Sequence, residues 1–162
     1  MSEREKILRI LQVEARAGCD DIAERLGISP EEVEQTIQQL EDEGVILGYR
    51  ALVDWSRNDI ERVYAFILVE ATPEHGVGFE KVADTVARFE EVHSVHLTSG
   101  TADLTIVVEG DDFREIARFV AEKLAPTPGV EGTATSFVLR TYKLEGLIIG
   151  EAPAARRLAV TP

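Results

Sequence analysis

Three glutamines within five residues, Gln35, Gln38 and Gln39, lie in the stretch "GISPEEVEQTIQQLEDEGVI" at positions 27–46. A glutamine amide offers a donor beside an acceptor, the pattern that pairs bidentately with adenine in the major groove of DNA. Ser29, Glu31 and Arg50 stand around them as further polar groups that a nucleic acid would meet. A second candidate is "TSGTADL", containing Thr98, Ser99, Gly100, Thr101 and Asp103. There Gly100 permits close backbone approach, free amides and hydroxyls suit a carboxylate, and Asp103 suits an ammonium group. The alternative for the same residues is an ordinary β-turn whose aspartate bonds its own backbone.

Other chemistries find no support. His93 and His96 are three apart in a predicted strand, so they face opposite ways and cannot chelate one ion, and His75 stands alone. The single cysteine, Cys19, forms no internal disulfide. With no Ser-His-Asp arrangement, phosphate-binding glycine loop or nucleotide fingerprint, the chain is read as a non-enzyme without catalytic residues, metal or cofactor. No apolar run is long enough to span a bilayer and the N-terminus "MSEREKILRI" is charged, so a cytoplasmic location is expected.

The elements that would position these groups fall into two patterns. In residues 1–58, Ser2 and Glu5 form a capping-box pattern ahead of Ile7, Leu8, Ile10 and Leu11. A short helix through "DDIAERLG" stops at Gly27, and Ser29 caps a third helix with Pro30 at its first position and Glu32 completing a box. Val33, Ile37 and Leu40 form its inward stripe, and "VILGYRALVDW" is expected as a hairpin pivoting at Gly48. Together these predict a winged helix-turn-helix; a plain three-helix interaction bundle is the alternative.

Residues 59–150 predict strand, helix, strand, strand, helix, strand: "RVYAFILVEAT", "GFEKVADTVARFEEV", "VHSVHLTSG", "ADLTIVVEG", "DDFREIARFVAEKLA" and "GTATSFVLRTYKLEG". Asp111 or Asp112 would cap the second of these helices. The fold class is therefore α+β, a winged helix-turn-helix followed by a ferredoxin-like βαββαβ domain. "YAFILV" and "LTIVV" are apolar at consecutive positions, so both sheet faces want burial while two helices cover one. A second copy on the other face is expected, with a ligand cavity as the rival. The tail, residues 151–162, offers Leu158 and Val160 for an edge strand and Arg156 and Arg157 for an acidic partner surface, or is a disordered end.

This layout resembles the leucine-responsive and asparagine regulator (Lrp/AsnC) family of prokaryotic transcription factors over nearly the whole chain. The resemblance is carried by "REKILRILQVEA", "DIAERLGISPEEVEQTIQQLEDEGVILGYRALVD", "TSGTADL" and "PGVEGTATSFVLRTYK". It implies a C-terminal domain that dimerises through its sheets, assembles into discs or open arrays, and binds an amino acid between dimers. Thr133, Thr135 and Ser136 resemble family positions that contribute to that pocket. The implied function is a DNA-binding transcriptional regulator responsive to an amino acid or related small molecule. The alternative is a sensor or assembly protein of the same architecture with weak or lost DNA binding.

One departure bears on the DNA partner. The family's recognition helix is arginine-rich after the buried position matched here by Val33, whereas this chain has Glu34, Gln35, Thr36, Ile37, Gln38 and Gln39. Residues 29–43 hold five glutamates and one aspartate against no basic residue, and the whole chain has a formal charge of −13. Such a surface is repelled by phosphates rather than steered to them.

Overall fold

In the first compact unit, Met1–Val53, three helices form where the caps and apolar stripes fall: α1 (Glu3–Val13), α2 (Cys19–Leu26) and α3 (Pro30–Asp42). The Ser2 hydroxyl accepts from the Glu5 amide at 3.2 Å, but the Glu5 carboxylate pairs with Arg9 one turn on, so only half of the expected capping box forms. Gly27 ends α2 with a left-handed φ of 71°, a conformation that costs other residues steric strain, and its N–H bonds the Ala23 carbonyl at 2.8 Å. Ile7, Leu11, Ile22, Ala23 and Val33 form the core, with Ile28 and Ile37 packed on it.

The hairpin expected over residues 45–55 does not form. Residues 45–54 contain no strand, and the Leu47 side chain is 95% exposed. A two-stranded ribbon on its own is marginal in water, and here the first residues of the stretch are taken up by α3 and its core, on which Ile46 packs. The chain instead folds back on α3, where Val45 and Ile46 amides bond the Leu40 carbonyl and the Tyr49 hydroxyl donates to Glu41 at 2.9 Å.

The computed structural model describes residues 1–57, 60, 62–73 and 78–150; His75 and the tail 151–162 lie outside them. The second unit, from Asp54 onward, holds β1 (Val63–Ala71), α4 (Glu80–Val86), β2 (Val92–Leu97), β3 (Leu104–Gly110), α5 (Phe113–Phe119) and β4 (Val130–Phe137). The sheet order is β2-β3-β1-β4 with every pair antiparallel, the βαββαβ sandwich the element order predicts. Asp112, not Asp111, caps α5, accepting from the Glu115 amide at 2.8 Å.

Two elements are shorter than the sequence suggests. The helix expected over 78–92 ends near Val86 because its last turn tightens, with Arg88 and Phe89 amides reaching back three residues to Thr85 and Val86. That places Phe89 edge-on to Phe119, 5.6 Å between ring centres. The last strand stops at Phe137, opposite Ala65 of β1, and one further bond, from the Val138 amide to the Tyr64 carbonyl, closes the pairing. A small hairpin, β5 (Lys143–Leu144) with β6 (Leu147–Ile148), then turns at Glu145 and Gly146.

Strand alternation sorts the side chains of β1. Ala65, Ile67, Val69 and Ala71 are buried under the helices with Leu104, Ile106, Val108, Ile116, Phe119 and Leu124. Each large aliphatic or aromatic among them contributes roughly 1.5–3 kcal/mol by leaving water. Phe66 and Leu68 point the other way and remain 48% and 39% exposed, beside Val107 and Ala134 in register. Sheet faces with such side chains mark association surfaces. The full-length protein should therefore sediment as at least two chains, and Phe66→Asp with Leu68→Asp should lower that mass. A wild-type chain that remains monomeric at every accessible concentration contradicts this.

Candidate functional site

The first candidate surface is the exposed side of α3. Its geometry starts at the full capping box: the Ser29 hydroxyl accepts from the Glu32 amide at 3.2 Å, and the Glu32 carboxylate accepts from the Ser29 amide at 2.9 Å. These bonds, from the Ser29 amide first and then its side chain, hold the Glu32 carboxyl below the usual carboxylate range. Val33 and Leu40 are fully buried, which turns Glu31, Glu34, Gln35, Gln38 and Gln39 outward to solvent. The exposed face predicted from the spacing is thus the face that the fold presents. Gln38 is not free there, because its amide donates to Asp42 at 3.0 Å.

Half of the cations of the same unit are engaged by carboxylates. Arg25 bonds Glu14 at 3.0 Å and Asp21 at 3.1 Å, Arg4 bonds Glu43 at 3.2 Å, and Arg9 pairs with Glu5. Among the described residues, no carboxylate lies within ion-pairing distance of Lys6, Arg16 or Arg50. The intramolecular pairs are exposed and individually weak. Their effect on a phosphate is larger, since a neutralised arginine must give up its carboxylate to contact DNA.

The second candidate is the loop between β2 and β3. The Thr98 amide bonds the Asp103 carbonyl at 2.9 Å, and the Asp103 amide reaches the Val69 carbonyl at 3.1 Å. The Asp103 carboxylate then accepts from the Ala71 amide at 2.9 Å, beyond the end of the β1–β3 ladder. Asp103 is therefore a structural clamp on β1, and one of its oxygens is already engaged. The Thr98 hydroxyl is also engaged, within 3.4 Å of the Ala102 carbonyl and 3.3 Å of the Thr105 hydroxyl. Ser99, Gly100 and Thr101 are exposed, and among the described residues nothing accepts from their amides. Gly100 has φ of 153°, a value that a side chain would strain.

The three residues of β4 divide. Thr133 pairs with Val69, next to the loop, and Thr135 pairs with Ile67 further along the same face. Ser136 pairs with Phe66 and lies on the open face instead. Loop and Thr133 thus lie towards the same end of the sheet on either side of β1, while Ser136 is further along and on the other face. The Ala71 amide, which fixes the loop, had no signal in the sequence, because the contact depends on strand register alone.

Known proteins match both parts of the chain. A winged helix-turn-helix DNA-binding model matches residues 4–46, and the model of the Lrp/AsnC ligand binding domain matches residues 64–148. The chain belongs to the Lrp/AsnC family. It is a DNA-binding transcriptional regulator of that type. The HTH-type transcriptional regulator YugG of Bacillus subtilis is 42% identical across the whole chain and 99% of its own length. A proline dehydrogenase transcriptional activator of Rhizobium radiobacter is 28% identical over 88% of this chain and 90% of its own. A transcriptional regulator of Neisseria meningitidis solved as a complex with L-methionine superposes with a TM-score of 0.69 at 28% identity, covering 89% of this chain and 92% of that one. The Lrp/AsnC resemblance and the two-part α+β fold expected from the sequence are borne out, and these relatives are named as transcriptional regulators. No helix among the described residues is long and apolar enough to cross a membrane.

The geometry of α3 yields two expectations. Ser29→Ala removes one side of the capping box and should cost about 1 kcal/mol, seen as a lower denaturant midpoint for the first unit. Because the folded Glu32 pKa lies below the free value of 4.5, its contribution is complete above that pH and is lost as pH falls through the lower folded value. The stability of the wild-type first unit should therefore fall as the pH drops through that range, and Glu32→Gln should flatten this dependence. Second, DNA binding should show a shallow salt dependence, since few unpaired cations displace counterions. Glu34→Arg with Gln38→Arg should steepen the log–log slope by about 0.9 for each new phosphate contact. A steep slope in the wild type would contradict this reading.

Proposed function

We propose that this Lrp/AsnC-type regulator answers to an amino acid, or a closely related zwitterion, held at the Thr98–Asp103 loop. It works in the cytoplasm as a homo-oligomer and catalyses no reaction. The observation that carries the reading is the loop's division of labour. Asp103 fixes the backbone, and that leaves the exposed residues Ser99, Gly100 and Thr101 with amides that bond no other described residue and with two exposed hydroxyls. Several unpaired amides on one glycine-containing turn suit a carboxylate. The L-methionine carried by the Neisseria relative supports the same ligand class.

DNA is read through α3, with Ser29, Glu31, Gln35, Gln38, Gln39 and Arg50 as the candidate contacts. Glutamine amides supply base pairing, and Arg50 supplies a phosphate contact without a carboxylate competing for it.

The test of the ligand reading is a panel of L-amino acids scored by melting temperature, because a ligand that binds only the folded state raises it by mass action. At least one should raise it, and Ser99→Ala with Thr101→Ala, which remove the two hydroxyls and keep the amides, should diminish the rise without lowering the unliganded melting temperature. Asp103→Ala should lower the unliganded value instead, by the equivalent of roughly 1 kcal/mol, since the Ala71 amide loses its acceptor. A shift that survives the double substitution undiminished moves the site elsewhere. No shift from any amino acid leaves the loop an ordinary turn.

A further inference from the structure

We propose that Glu31 and Gln35 set the sequence preference of the DNA-reading surface, Gln35 by pairing with adenine N6 and N7, and Glu31 by accepting from the N4 amino group of cytosine. The inference rests on the reading of α3 as the DNA-contacting helix.

At 100° per residue, the direction opposite the buried Val33 and Leu40 and the half-buried Ile37 is shared by Glu31, Gln35, Gln38 and Asp42. Two of these four satisfy each other, because the Gln38 amide donates to the Asp42 carboxylate at 3.0 Å. Glu32 is consumed by the capping box, and the Thr36 hydroxyl donates to the Glu32 carbonyl at 2.7 Å. Among the described residues, Glu31 and Gln35 are the outermost polar side chains of α3 that bond nothing else. They lie in its first two turns, the part of a recognition helix that reaches base edges in helix-turn-helix complexes.

Their chemistry then selects bases. A carboxylate only accepts, and in the major groove only cytosine N4 and adenine N6 donate. Guanine and thymine show it acceptors or a methyl group, so an unpaired carboxylate facing guanine is penalised. Gln35 carries both a donor and an acceptor and matches adenine in two bonds. Four residues along a helix cover about 6 Å, close to two base steps of about 3.4 Å each. The pair therefore reads cytosine and adenine within a few steps of each other, in a chain whose helix holds no arginine to read guanine.

The test is selection of full-length protein against a randomised duplex library at low salt, followed by sequencing of the retained fragments. The wild type should enrich a motif containing a cytosine and an adenine within a few base steps, each preferred by about tenfold. Gln35→Ala should erase the adenine preference alone, and Glu31→Ala the cytosine preference alone. Asp42→Ala should release the Gln38 amide and add a preference at one further position. Melting temperatures of the variants separate loss of reading from loss of folding. If either alanine variant keeps the wild-type motif while remaining folded, the assignment is overturned. If the wild type retains DNA with no base preference, this inference fails while DNA binding stands. If it retains no DNA at all, the reading of α3 as a DNA-contacting helix fails with it.

Discussion

Strand β1 is hydrogen-bonded on both sides, to β3 and to β4, over most of its length. That constraint organises everything else in the second unit. A strand paired on both edges cannot slip by one residue without exchanging its faces, so Ala65, Ile67 and Val69 are committed to the core and Phe66 and Leu68 to the open side. It also fixes which groups meet at its end. Past Val69 the β3 partner runs out, and the Asp103 side chain takes over as acceptor for the Ala71 amide. The pairing with β4 is irregular between Glu70 and Ala71, so the same few residues absorb the end of both ladders. The loop proposed to hold an effector is thus anchored to the most tightly determined strand of the domain.

Much of this was legible from residue spacing because each signal was local. Ser29 with Glu32, Gly27 after Leu26, and the Val33–Ile37–Leu40 stripe report a capped helix following a tight turn, and all three are found. The consecutive apolar residues of "YAFILV" reported a strand that helices could cover on one side only. What escaped was non-local. "VILGYRALVDW" is apolar on either side of Gly48 and reads as a hairpin, but its first residues are taken up by α3 and residues 45–54 form no strand. The last residues of α5 pass into a π-turn at Val120–Leu124, where the Ala125 amide reaches back five residues to Val120, and composition alone does not distinguish this from one longer α-helix. The bond from the Ala71 amide to Asp103 was not legible for the same reason. Read alone, Asp103 is a free carboxylate for an ammonium group, whereas strand register turns it towards Ala71. The exposed positions of α3 were legible, but the engagement of Gln38 by Asp42 and of Arg25 by Glu14 and Asp21 was not.

The charge of the first unit and the open sheet face bear on each other. A segment with six acidic residues and no basic one over positions 29–43 is repelled by phosphates at distances up to the screening length, about 8 Å at physiological ionic strength. Beyond that range the repulsion is damped, so it opposes contact more than approach. Tight binding by one such module is then implausible on electrostatic grounds. A module that binds weakly still serves when it is tethered to others, because the second contact becomes intramolecular and avidity exceeds the single-site affinity by about 10²–10⁴ where the spacing fits. The face carrying Phe66, Leu68 and Val107 supplies the means of tethering, since covering it with a second copy brings two helix-turn-helix units into one particle. Low affinity per helix also sharpens selection between sites. With little sequence-independent attraction to phosphates, a larger share of the binding free energy must come from base edges and DNA shape, and occupancy then depends steeply on whether several units find their sites together.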